Sequence, residues 1–86
     1  MIPVSMRAKV FVSPKKTVLD PQGQAIHSAL TGMGFKIVDH VRQGKFFELN
    51  LAPGTTRQQA QADVDRLARD ILTNPVIEEY SFIIED

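Results

Sequence analysis

The spacing of apolar residues along this chain switches repeatedly between alternation and helical recurrence, and each switch marks an element. From Arg7 to Ser13, Ala8, Val10 and Val12 fall on one face and Arg7, Lys9 and Phe11 on the other, which predicts a half-buried strand. A loop, Pro14-Lys15-Lys16-Thr17, follows. Asp20-Pro21 predicts a helix start, because the carboxylate can cap free amides and proline at the first helical position gives up an N–H that has no partner there. Ala25, Ile26, Ala29, Leu30 and Met33 recur at helical spacing, and Gly34 offers the left-handed conformation that closes such a helix. Phe35–Arg42 and Lys45–Leu51 predict a hairpin closed by Gln43-Gly44, with Gly44 supplying the positive φ of a tight turn. That register sets Val41 against Phe46, His40 against Phe47, Asp39 against Glu48 and Val38 against Leu49. Pro53-Gly54 predicts a turn and Thr56-Arg57-Gln58-Gln59 a capping box. Ala60, Val64, Leu67 and Ile71 then give a helical core stripe, with Asp65 and Arg69 paired on the wet face. Asn74-Pro75 stops this helix, and Val76–Glu85 reads as a last strand with Tyr80, Phe82 and Ile84 on one face.

The order β-α-β-β-α-β predicts an α+β fold, a ferredoxin-like sandwich with an antiparallel sheet and two helices on one face. No linker or repeat divides the chain, so residues 1–86 are expected to form one domain, with 1–5 as a frayed leader. Strand alternation gathers Phe11, Ile37, Val41, Phe46 and Ile83 on the open face of the sheet, around the facing carboxylates Asp39 and Glu48. A monomer rarely leaves such an apolar patch wet. These seven residues are therefore expected to form a self-association face, in a dimer or a tetramer. The small core of so short a chain points the same way.

Composition narrows the function. Ten Lys and Arg balance ten Asp and Glu for a formal net charge of zero, which argues against a nucleic-acid binder or docking on anionic lipid. There is no Cys, which excludes disulfides, thiolate metal sites and Cys nucleophiles. No apolar run reaches the length of a membrane span, so the expected setting is cytoplasmic. No glycine-rich phosphate loop opens a helix. His27 and His40 come from different elements with no third metal ligand, so His27 reads as a polar helix position and His40 as a partly buried histidine near Phe47. Ser13, Ser28 and Ser81 lack a nucleophile elbow. The Asp39/Glu48 pair admits an acid–base couple, a splayed solvated pair, or a pair bridged by a partner's cation, and its apolar surroundings favour the last. Phe11 and Phe46 mimic the stacking aromatics of RNA-recognition domains, without the basic residues that flank them. The loop Ser13–Thr17 has neither the Arg nor the Gly of an acylphosphatase cradle. No catalytic residue, metal or cofactor is expected on this chain.

Four stretches carry a family resemblance: Val18-Leu19-Asp20-Pro21-Gln22-Gly23, Val41-Arg42-Gln43-Gly44-Lys45, Glu48-Leu49, and Asn74-Pro75-Val76-Ile77-Glu78. In this order and spacing they closely resemble PurS, the small subunit of phosphoribosylformylglycinamidine (FGAM) synthase. The resemblance runs from Arg7 to Ile84, with Thr73 and the bulky Phe46-Phe47 as mild departures. It implies a non-catalytic role in de novo purine biosynthesis. In that complex a synthetase subunit, PurL, activates the substrate amide with ATP, and a glutaminase subunit, PurQ, releases ammonia from glutamine. PurS supports their assembly and ammonia transfer. The motif matches make Asp20, Gly23, Arg42, Gly44 and Lys45 candidate partner contacts, although Asp20 and Pro21 also serve as a cap. Gly23 costs a first helical turn up to ~1 kcal/mol against alanine, which points to a close backbone approach. The alternative is a stand-alone ACT-like small-ligand module of the same topology, which would carry a glycine-rich turn before the first helix. This loop has none.

Overall fold

The computed structural model describes residues 6–86, so the expected leader, 1–5, lies outside the described residues. β1 (Arg7–Pro14) is the central strand of a three-stranded antiparallel sheet, flanked by β2 (Lys45–Asn50) and β3 (Glu78–Glu85). Its alternation works as read: Ala8, Val10 and Val12 are buried. Val10 sits opposite Phe47 on one side and Phe82 on the other, and Ala8 opposite Leu49 and Ile84, so one face of all three strands is apolar. α2 (Arg57–Leu67) lays Ala60 and Val64 on that face. Its start is a capping box, with Thr56 Oγ1 accepting from the Gln59 amide at 3.1 Å and Gln59 Oε1 accepting from the Thr56 amide at 3.2 Å.

The core stripe departs from expectation at its end. Residues Ala68–Leu72 form a π-helical turn, which carries more residues per turn than an α-helix. The inward positions therefore advance by four, through Ala60, Val64, Ala68 and Leu72, and Ile71 is left 78% exposed.

The predicted hairpin does not form. Residues 35–44 carry no strand pairing, and β2 takes β1 as its neighbour. Gly44 is no turn residue either: among the described residues only Gly34 (φ 93°) and Gly54 (φ 86°) have positive φ. It lies instead against β1, where an added Cβ would collide with the Val12 carbonyl oxygen and come within 3.2 Å of Ser13 Cα. The physical reason is that 41–44 is pinned to the start of α1 (Pro21–Gly32) and so cannot fold back along β2.

The antiparallel sheet with two helices is the expected ferredoxin-like α+β arrangement, opened out. α2 and the π-helical turn that continues it supply the helix side chains of the core, Val64, Ala68 and Leu72, whereas α1 buries only Gly23. With the segment after it, α1 gives a flat body of 52 × 32 × 14 Å. Its radius of gyration is 16.9 Å, against roughly 12 Å for a compact domain of this length.

Candidate functional site

Two features collect the residues that the sequence singles out. The first is the outer face of the sheet. Phe11 and Phe46 face each other in register on neighbouring strands, with ring centroids 5.3 Å apart and planes inclined by 31°. Ile83 lies on the same face across β1, opposite Lys9. The three side chains remain 43%, 54% and 49% exposed. Ion pairs border them: Arg7 Nη1 to Glu48 Oε1 at 3.1 Å, and Lys9 Nζ to Glu85 Oε1 at 2.8 Å. The hydrogen bond from Lys9 holds the Glu85 carboxyl below its ordinary range.

Of the expected self-association face, Phe11, Phe46, Glu48 and Ile83 thus come together. The facing carboxylate pair does not exist, because Glu48 is bound to Arg7 and Asp39 lies in the unpaired segment. Ile37, 92% exposed, and Val41 leave the sheet face with that segment. His40 is exposed there, not half-buried beside Phe47. All these positions rested on a strand that is absent.

The second feature is the junction where the start of α1, the segment 41–45 and the sheet meet. Asp20 Oδ1 accepts from the Gly23 amide at 3.0 Å, capping α1, while Oδ2 accepts from the Gln43 amide at 2.8 Å. These bonds, that from Gln43 foremost, hold the Asp20 carboxyl below its ordinary range. A Cβ on Gly23 would meet the Val41 carbonyl oxygen and lie 2.6 Å from Asp20 Oδ2, so the backbone approach inferred from this glycine is present. His27 Nε2–H donates to the Val38 carbonyl at 3.1 Å, tying the segment to the next turn of α1. Arg42 Nη2 donates to Glu79 Oε1 at 3.2 Å, and Lys45 Nζ lies 3.4 Å from Glu78 Oε2. Asp20, Gly23, Arg42, Gly44 and Lys45 therefore surround one junction.

The Asn74-Pro75 stretch builds the approach to β3. The Asn74 amide donates to Glu78 Oε1 at 2.8 Å, and Asn74 Oδ1 accepts from the Val76 amide at 3.1 Å. The Lys15 amide donates to the Ile77 carbonyl at 2.9 Å, joining this turn to the β1–α1 loop. One contact has no sequence signature: Tyr80 O–H donates to Asp65 Oδ1 at 2.6 Å, linking β3 to α2 and raising the Tyr80 pKa. Among the described residues no group of three or more His, Cys, Asp or Glu is placed to hold a metal, and no helix is long and apolar enough to cross a membrane.

Comparison with known proteins agrees with this geometry. Residues 7–86 match a protein-family model described as "PurS: Phosphoribosylformylglycinamidine (FGAM) synthase". The chain is 38% identical over 84 residues to the FGAM synthase subunit PurS of Bacillus subtilis (strain 168), covering 93% of each. It is 35% identical over 78 residues to PurS of Archaeoglobus fulgidus, covering 91% of this chain and 96% of that one. Thermus thermophilus PurS superposes with a TM-score of 0.85 at 30% identity, over 96% of this chain and 98% of the other. A chain of the PurLQS structure from Thermotoga maritima gives 0.83 at 26% identity, over 94% and 98%.

Proposed function

This chain belongs to the PurS family of FGAM synthase subunits, and from that premise we propose that it is the non-catalytic accessory subunit of an FGAM synthase complex in the cytoplasm. Its partners are a synthetase subunit, PurL, and a glutaminase subunit, PurQ. The observation that carries the reading is its likeness, over nearly the whole of both chains, to a chain of the PurLQS structure. The geometry supports it from another side. The motif residues Asp20, Gly23, Gly44 and Arg42 are spent on holding backbone and ion pairs in place, an arrangement suited to a docking body.

The physical purpose lies in ammonia. Ammonia set free in water is protonated and loses its nucleophilicity, so a glutaminase and a synthetase gain from being held in register. A small rigid adaptor does this by presenting surfaces to both. The outer sheet face, with Phe11, Phe46 and Ile83, is where a second copy of the chain packs. The junction edge, with Arg42 and Lys45, faces a partner subunit. The test is gel filtration of the chain with PurL and PurQ from the same organism. A single complex containing all three, which falls apart when the chain is omitted, is expected. PurL and PurQ associating equally well without it would overturn the reading.

A further inference from the structure

The chain is electrically neutral, and its cations are unevenly employed. Of the ten Lys and Arg side chains, only Lys15, Lys16 and Lys36 have no carboxylate partner among the described residues. Two of these three line one cleft. It has a volume of about 310 Å³ and lies between the β1–α1 loop and residues 40–42.

We propose that this cleft is an anion site that takes the phosphate group of a small phosphorylated metabolite. Its wall carries Lys15, Lys16 and Arg42, with Thr17, Gln24 and His40 as further polar groups. Asp20 is its one carboxylate, and both Asp20 oxygens are already engaged by the Gly23 and Gln43 amides. Positive charge is therefore in surplus. Arg42 uses Nη2 on Glu79, outside the cleft, which leaves further N–H donors of its fork free. The loop that bears the lysines is fixed: the Lys15 amide donates to Ile77 and the Lys15 carbonyl accepts from Val18, both at 2.9 Å. Two ammonium groups on a fixed loop, with a guanidinium from residues 40–42 across the cleft, suit a dianionic phosphate better than a single carboxylate. Val18, Leu19 and Val41 give the same cleft an apolar side, against which the organic part of an ester can lie. The volume sits at the small end of the range for metabolite pockets.

The inference does not rest on the assembly role, and a negative result would leave complex formation untouched. The experiment is calorimetric or NMR titration of the full chain with ATP, ribose 5-phosphate and inorganic phosphate. Saturable binding of at least one of the three at millimolar concentration or below is expected, weakening as salt is raised. Binding should fall tenfold or more in Lys15→Glu/Lys16→Glu and be unchanged in Lys36→Glu, which alters the third unpaired lysine. Lys16→Ala, at an exposed position, provides a milder variant should the double reversal disturb the fold, and should weaken binding measurably. Absence of saturation with all three ligands, or binding that survives the loss of both lysines, would overturn the proposal.

Discussion

Replacing Gly23 with alanine sets two effects of known size against each other. Helix propensity alone favours alanine over glycine by up to ~1 kcal/mol, so an isolated α1 would gain. In the folded chain the new Cβ meets the Val41 carbonyl oxygen and lies 2.6 Å from Asp20 Oδ2, well inside contact distance. Neither neighbour can retreat freely, because Asp20 holds the Gly23 and Gln43 amides and Val41 belongs to the same pinned segment. Forcing a methyl into such a site costs typically ~1–3 kcal/mol, and the propensity gain offsets only part of that. A net loss of about 1–2 kcal/mol is expected. At roughly 4–8 °C per kcal/mol for a domain of this size, the melting temperature should fall clearly. Gly32 is the control. Nothing lies within 4 Å of a Cβ built there and its φ is not positive, so Gly32→Ala should gain roughly 0.5–1 kcal/mol. The assay is thermal and urea unfolding of both variants at one protein concentration, since self-association would otherwise shift the midpoint. Gly23→Ala stabilising the chain as Gly32→Ala does would refute the close approach between α1 and residues 41–43.

The further predictions concern charge and surface. Tyr80 is the single tyrosine of a chain without tryptophan, so its ionisation can be followed by absorbance alone. Its pKa is raised, chiefly by its hydrogen bond to Asp65, so the stability it contributes is complete below ~10 and is lost as pH rises through the folded value. Tyr80→Phe should remove that alkaline loss. Asp20 behaves oppositely: its folded pKa is lowered, so its contribution holds above the unfolded value near ~4 and disappears as pH falls through the folded one. The Gly23 and Gln43 amide resonances should report a midpoint below that unfolded value, and Asp20→Asn should abolish the transition. Phe46→Asp on the outer face should reduce the mass measured by light scattering at micromolar concentration. Burying such a side chain is worth ~1.5–3 kcal/mol, and a charge in its place reverses the sign. An unchanged mass would remove this face from the self-association surface.

Much of the fold was legible in the sequence because the relevant signals are local. Alternation over Arg7–Ser13 located β1 and its buried face, and two helix starts followed from Asp20-Pro21 and from the Thr56–Gln59 box. The thermodynamic oddity of Gly23 in a first helical turn pointed to a close neighbour, and the Val41 carbonyl is that neighbour. What was missed depends on distant partners. Residues 35–42 look like a strand by composition, but pairing is a property of two segments, and the outer edge of β2 stays open because 41–44 is held at the start of α1. Ile37, Asp39 and Val41 fell away from the candidate face for this one reason, whereas Phe11, Phe46 and Ile83 stayed because their strands are real. Gly44 was read through its φ when its function is to admit the β1 backbone. The π-helical turn displaced Ile71, because a stripe drawn at α-helical spacing assumes the period continues.

Coupling of a glutaminase site to a synthetase site is the role proposed for this chain. Its most direct test is FGAM synthesis by PurL and PurQ from the same organism, with and without this chain, supplied either with glutamine or with ammonium salt. Ammonium delivers free ammonia to the synthetase by diffusion and needs no docked glutaminase. Omitting the chain should therefore abolish most of the glutamine-dependent rate and spare the ammonium-dependent one. Equal loss in both would place the chain at the synthetase's own chemistry, and no loss in either would remove it from the reaction; either result would overturn the coupling role.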